Sequence, residues 1–171
     1  MKRKVNAFDY AGHICEAMKK GVLLTTAHDG KVNTMTIGWG HIGIEWERPI
    51  FIAYVRESRY TKQWLDANGE FTVNIPLEEC DGKILGFCGS KSGRDVDKIK
   101  ALGLTLEAPE TISVPGIRQL PLTLECKVIY TQEQPLCAIG SDIQSRYYTQ
   151  GDPHTAYYGQ ILNAYIIEDK M

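Results

Sequence analysis

Three stretches of the chain concentrate side chains able to hold a charged, hydrogen-bonding ligand. The first is Asn33-Thr34-Met35-Thr36-Ile37-Gly38-Trp39-Gly40. Its amide and hydroxyl groups supply donors and acceptors, and its glycines admit a close backbone approach, which suits a planar polar ligand. The same composition also describes an ordinary amphipathic strand. The second is Arg56-Glu57-Ser58-Arg59-Tyr60-Thr61-Lys62, where a strand is expected to pass into a helix. A helix N-terminus carries free N–H groups and a partial positive charge, so it suits a phosphate. Arg56, Ser58 and Thr61 would add charge and hydroxyl donors. A capping serine among solvated arginines would read the same way. The third is Cys88-Gly89-Ser90-Lys91-Ser92-Gly93-Arg94-Asp95, followed by Lys98. Serines, glycines and cations just ahead of a helix again suit an anion. This is not a Walker loop, and an exposed basic loop has the same composition.

Other chemistry finds little support. His13, His28, His41 and His154 form no metal-ligand spacing with a cysteine or carboxylate, so no metal is expected. No Ser or Cys stands in a nucleophile elbow. Gly38, Gly40 and Gly43 have dinucleotide-loop spacing, but Ile-Glu-Trp-Glu-Arg-Pro follows and Pro49 is a poor helix start, so the match reads as accidental. Tyr147, Tyr148, Tyr157 and Tyr158 read as barrel and interface packing, with stacking on a ligand as the alternative. Five cysteines at wide, irregular spacing, without a CxxC, suggest reduced thiols in a cytosol. Cys80 and Cys88 read as buried or merely exposed thiols. A net charge of −2 argues against a whole-surface nucleic-acid binder. No apolar run approaches a membrane span, and no apolar core follows the basic Met-Lys-Arg-Lys start, so a cytoplasmic protein is expected.

These residues need elements to position them. A chain of 171 residues favours a single domain over 1–171. Asp9 is a candidate N-cap for a short helix with Ile14 and Met18 on one face, closed by Gly21. Val22 to Ala27 and Val32 to Gly38 read as strands joined at Asp29-Gly30, a strong two-residue hairpin signal. Pro49 marks a break before a buried strand at Ile50 to Val55. Ser58 is a candidate cap for a helix from Tyr60 to Ala67, closed by Asn68-Gly69. Phe71 to Ile75 is a strand stopped by Pro76. Residues 77–87 read as helix, 88–94 as a polar turn, and Asp95 as the cap of a helical piece reaching Leu102. Residues 105–121, with three prolines, read as loop with short strands. Leu122 to Thr131 alternates Leu122, Leu124, Cys126 and Val128 with Thr123, Glu125 and Lys127. Residues 137–147 and 157–167 read as long strands. The whole predicts a mainly β fold, about six strands with short helices between them, in a closed or nearly closed antiparallel barrel.

With the elements placed, five segments in order resemble the flavin reductase-like FMN-binding split-barrel family, closest to its flavoredoxin group. They are Val-Leu-Leu-Thr-Thr, Asn-Thr-Met-Thr-Ile-Gly-Trp, Pro-Ile-Phe-Ile-Ala-Tyr-Val-Arg-Glu-Ser-Arg-Tyr-Thr, Phe-Thr-Val-Asn-Ile-Pro and Ser-Gly-Arg-Asp-Val-Asp-Lys. The resemblance covers roughly residues 10 to 168. It implies a six-stranded antiparallel split β-barrel, a homodimer, and one non-covalent FMN per subunit near the dimer interface. It further implies that Asn33, Thr34, Met35 and Thr36 follow the isoalloxazine edge. Arg56, Ser58 and Thr61 would hold the phosphate with Tyr60 nearby, and Asn74 and Ile75 would lie beside the ribityl chain or ring. Ser90, Ser92, Arg94 and Lys98 would close over the flavin or its phosphate, and His154 would approach the ring. The implied activity is an oxidoreductase taking electrons from NADH or NADPH through FMN to an unidentified acceptor, with no nucleic-acid or membrane partner. The alternatives are an electron carrier reduced by a partner protein, and a split-barrel protein that binds no flavin.

Overall fold

The computed structural model describes residues 1–78 and 80–168. Two hairpins start the sheet, and both turn on backbone with positive φ. β2 (Val22–His28) and β3 (Lys31–Ile37) pair antiparallel around Asp29 and Gly30, at φ 48° and 72°. β4 (Gly40–Glu45) and β5 (Arg48–Arg56) pair around Trp46 and Glu47, at φ 50° and 57°. The first turn has the residues that such a turn favours; the second does not, and nothing in its sequence marks it. Pro49 does not break β5. It sits opposite Ile44, while the pairing of β5 with β10 stops at Ile50, so its missing N–H removes no bond there.

β1 (Lys2–Lys4), β6 (Glu70–Ile75), β9 (Leu122–Glu133) and β10 (His154–Ile167) complete an eight-stranded antiparallel sheet. The strand count is therefore larger than the six expected, while the class is as expected. The order is β3-β2-β6-β9-β10-β5-β4, with β1 added on β10. The sheet curls until β3, at one edge, touches β5, next to the other. β3 and β4 are not paired, so the barrel is split there. Helix α1 (Ala11–Lys20) packs at this seam through Met18; a Cβ on Gly40 would lie 3.0 Å from its sulfur. The interior is apolar, with Leu24, Met35, Phe51, Val73, Leu124 and Tyr157 among its members.

A second layer covers the outer face of β2, β3 and β6. It contains α3 (Gly82–Ser90), α4 (Lys98–Ala101) and the pair β7 (Leu106–Glu107) and β8 (Gly116–Ile117). It closes on its own core of Leu23, Ile84, Cys88, Leu104, Ile117 and Leu120. That cover buries the polar side of β9 as well as its apolar side. Glu125 is fully buried, and its carboxylate accepts from the backbone N–H of Glu110 (2.7 Å) and Thr111 (2.8 Å).

Several local expectations are corrected. Asn6, not Asp9, caps the N-terminus, accepting from Phe8 N in a 3₁₀ turn at Ala7–Tyr10 that runs into α1. Helix α2 (Tyr60–Asn68) starts from Arg59 without a side-chain cap and closes on Gly69 at φ 71°. The helix expected over 77–87 begins later, behind Asp81, and runs through Ser90; Glu79 lies outside the described residues. Asp97 rather than Asp95 caps α4. Residues 137–147 form no strand: a 3₁₀ turn at Leu136–Ala138 leads into helix α5 (Ser141–Tyr147). The reason is local, since the Gln144 side chain donates to Ile139 O and Ser145 to Asp142 O, bonds available only to a turned backbone.

Candidate functional site

At the mouth of the barrel, β3, β5, the start of α2 and the loop after α3 surround a two-part cleft. One recess, of about 180 Å³, is walled by Met35, Thr36, Trp39, Tyr54, Arg56 and His154. The other, of about 170 Å³, is walled by Ser58, Tyr60, Thr61, Ser90, Ser92 and Arg94. Met35 and Arg59 belong to both. Each is smaller than the roughly 300 Å³ at which small-molecule pockets begin, so a cofactor-sized ligand must fill the two together.

The second recess is built for an anion. Lys98 is 4 % exposed, and its ammonium donates to Thr34 O (2.8 Å) and Cys88 O (3.0 Å). Burial pulls its pKa down. No carboxylate among the described residues forms an ion pair with Lys98, Arg56, Arg59 or Arg94. Arg59 spans the two recesses and donates to Gly89 O at 2.9 Å; burial, and then the neighbouring Arg56, lowers its pKa as well. Buried cations without counter-charge are costly unless an anion joins them. Thr61, 2 % exposed, accepts from Asn33 Nδ2 at 2.9 Å, which leaves its hydroxyl proton to donate. The first-turn N–H groups of Tyr60 and Thr61 have no acceptor among the described residues, and α2 has no side-chain cap to supply one.

The first recess carries one histidine. His154 is 6 % exposed, with Nδ1 2.7 Å from the Tyr148 hydroxyl and its ring 5.0 Å from Trp39. Burial, reinforced by Arg56, pulls its pKa down to about 4, so it is neutral at pH 7. Trp39 stands at the rim, 42 % exposed and edge-on to Tyr147. Beside this recess lies an apolar pocket of about 410 Å³ shared through Trp39 and Tyr54 and walled by Ile139, Ile143 and Tyr148.

The structure thus gathers Met35, Thr36, Tyr60, Thr61, Ser90, Ser92, Arg94, Lys98 and His154 around the cleft, with Asn33 behind Thr61. Arg56 and Ser58 also border it, and part of their donor capacity goes to the segment before β10. Arg56 donates to Tyr147 O and Asp152 O, and the Asp152 carboxylate accepts from Ser58 N (2.9 Å) and Ser58 Oγ (2.7 Å). Both therefore hold the segment before β10. Asn74 and Ile75 lie away from the cleft. Ile75 is in the barrel core, and Asn74 is fully buried under the second layer, donating to Thr25 and Thr72 and accepting from Ile117 N. The Thr34 side chain faces the same way, bonded to Thr25 and Leu24 O; only its carbonyl reaches Lys98. The alternation of a strand put these side chains on the covered face. The four tyrosines do not form one cluster: Tyr157 is in the barrel, Tyr148 beside His154, Tyr147 against Trp39, and Tyr158 against Tyr130. Cys88 is buried, with its pKa pushed up to about 11 by burial, which keeps the thiol protonated and unreactive. Sequence reasoning did not single out Arg59, which lines both recesses, although it stands directly before the first helical residue.

Comparison with known proteins gives a consistent result. Residues 15–171 match the family model described as "Flavin reductase like domain". A flavoredoxin from Methanosarcina acetivorans superposes with a TM-score of 0.66 at 28% identity, over 88% of this chain and 70% of that one. The flavoredoxin of Desulfovibrio vulgaris (Miyazaki F) superposes with a TM-score of 0.66 at 24% identity, over 86% and 69%. An uncharacterized protein of Archaeoglobus fulgidus is 29% identical over 133 residues, which are 78% of this chain but only 64% of that longer protein.

Proposed function

The chain belongs to the flavin reductase-like, FMN-binding family and is similar to flavoredoxins, and on that premise we propose that it binds one FMN per subunit and moves electrons from NADH or NADPH to a small acceptor. The observation that carries the proposal is Lys98, a buried ammonium without a carboxylate partner among the described residues, set beside Arg59 and the open N–H groups of α2. That donor set fits a phosphate monoester. Arg59, Lys98, Thr61 and the α2 N-terminus would hold it, with Ser90 and Ser92 above. Met35, Thr36, Tyr54 and Trp39 would line the ring end and keep water from it.

When bound, the flavin ring supplies the hydride- and electron-transfer chemistry. The protein's part is to bind, orient and desolvate. His154 carries no proton charge at pH 7, so its contribution at the ring end is shape and a neutral hydrogen-bonding edge. The apolar pocket beside Trp39 offers room for a small donor or acceptor, which favours the reductase reading. The exposed Trp39 at the cleft rim favours the second reading, a carrier reduced by a partner protein. We also propose a homodimer. Support comes from a surface patch in which Trp46, Tyr130 and Tyr158 meet edge-on or tilted at 4.9–6.4 Å, with Ile44, 73 % exposed, two residues before Trp46.

The deciding experiment is an absorbance spectrum of purified protein loaded with FMN, followed anaerobically on addition of NADPH and then NADH. Bleaching within seconds is the expected result and identifies the preferred nicotinamide. A protein that binds FMN but stays oxidised is a carrier. A protein that takes up no FMN overturns the proposal.

A further inference from the structure

His154 is fixed in the wall of the ring recess by contacts on several sides. Its backbone pairs with Arg56 of β5, and its carbonyl accepts from Gln134 N at 2.9 Å. Its ring packs on Trp39 at 5.0 Å and meets the Tyr148 ring edge-on at 5.6 Å. Tyr148 ends helix α5 and is fixed in turn. Its N–H donates to Gln144 O, and the Arg56 guanidinium lies 5.1 Å over its ring while donating to the carbonyls of Tyr147 and Asp152.

The protons of this pair have one consistent placement. The Tyr148 hydroxyl and Nδ1 of His154 lie 2.7 Å apart, and both side chains are buried. Burial raises the pKa of Tyr148, so the phenol keeps its proton at pH 7. Nδ1 is the hydroxyl's only partner among the described residues. An imidazole proton on Nδ1 would leave the hydroxyl proton without an acceptor, at the cost of a lost hydrogen bond. With Nδ1 as the acceptor, a neutral ring carries its proton on Nε2. A charged ring would lose the same bond. Of the charged groups that act on it, Arg56 and Arg59 oppose a second positive charge, while Asp152, whose carboxylate is bonded to Ser58, favours one. Nε2 itself has no partner among the described residues. Nor is it sealed from solvent: the one fully buried side-chain polar atom without a partner among those residues is the Tyr165 hydroxyl. Nε2 therefore opens to the recess that His154 lines.

We propose that Tyr148 is a positioning residue: its hydroxyl proton sits on Nδ1 of His154 and so fixes the imidazole proton on Nε2, as a neutral donor to a carbonyl oxygen in the ring recess. The inference rests on the flavin reading for what fills that recess. The oxygen belongs either to the flavin ring or to a small molecule in the apolar pocket, which Tyr148 also walls.

The test is nitrogen-15 NMR at pH 7 on protein with labelled histidine, the His154 signals being identified by their loss in His154→Gln. The expected result for the flavin-free protein is a neutral His154 in a single tautomer with its proton on Nε2. Nε2 should then shift when FMN is added, if the oxygen is the flavin's. It should shift only when acetophenone is added to the FMN-loaded protein, if the oxygen is the small molecule's. Tyr148→Phe removes the hydroxyl alone and should move the tautomer ratio about tenfold toward Nδ1–H. A wild-type proton on Nδ1, a charged ring, an unchanged ratio in Tyr148→Phe, or an Nε2 that answers neither addition overturns the inference. Failure to take up FMN defeats the flavin reading, while the tautomer, read without flavin, still upholds or overturns the role of Tyr148.

Discussion

Two side chains at the cleft owe their properties to burial more than to type. Arg59 lies beside Arg56, donates to a single carbonyl and spans both recesses. Its guanidinium is the strongest candidate for a charge-assisted bond to the ligand phosphate. Arg59→Ala should weaken FMN binding by about 1.5–3 kcal/mol, read by fluorescence titration. Unchanged affinity would remove Arg59 from the phosphate site. His154 makes the opposite kind of prediction. Its folded pKa, about 4, lies below the ordinary 6.5, so the unfolded chain binds the proton more tightly. His154 therefore contributes stability above pH 6.5 that is lost as pH falls toward 4, by at most about 1.4 kcal/mol for each unit of difference. Urea midpoints at pH 7, 5 and 4 should drop more for the wild type than for His154→Gln. Equal slopes would show that His154 is free to protonate in the folded state.

Among the elements, β10 carries the most. It pairs with β5, β9 and β1, and its register against β9 shifts between Tyr158 and Gly159. Gly159 faces the interior so closely that a Cβ would lie 2.4 Å from Phe71 and 2.9 Å from Cys126. Gly159→Ala should overpack the barrel and cost about 1–3 kcal/mol, measured by urea denaturation. A neutral result would mean that Phe71 moves aside freely. This constraint was not legible beforehand, because a glycine inside a strand pattern signals a bulge or a close approach without naming the neighbour. Elements with strong local signals were legible: the Asp29-Gly30 hairpin, the Gly69 helix stop, and the apolar alternation of β9. Residues 137–147 were misread because a short stretch mixing Ile, Tyr, Ser and Gln has no decisive period, and Gln144 and Ser145 settled it by bonding to nearby backbone.

For the whole molecule, the exposed aromatic patch is the feature that a single chain does not explain. Trp46 comes from the β4–β5 turn, Tyr130 from β9 and Tyr158 from β10, and Trp46 and Tyr130 are 55 % and 42 % exposed. Sedimentation equilibrium should show a dimer that Trp46→Glu together with Tyr130→Glu converts to monomer. A wild-type monomer would end the dimer proposal. Among the described residues no helix is long and apolar enough to cross a membrane. The two-layer arrangement also explains the full burial of Thr34, Asn74, Thr123 and Glu125: residues 82–121 roof the outer face of the sheet, so Asn74 and Glu125 bond to the roof, and Thr34 and Thr123 bond to neighbouring strand residues.

By itself, the order of residues determined the class of fold, the hairpin and helix boundaries that glycine marks, and the three segments from which the cleft is built. Those properties depend on backbone preference and periodicity, which act between neighbours in the chain. Which side chains within those segments reach the cleft was decided only in the tertiary structure. Asn74 and Thr34 turned to the covered face, Arg59 took the place between the recesses, and Asp152 engaged Ser58 from a segment 94 residues away. Each outcome depends on what packs against a strand or helix from elsewhere in the chain, and desolvation, which sets the charge on His154 and the cost of Lys98, exists only once that packing is complete.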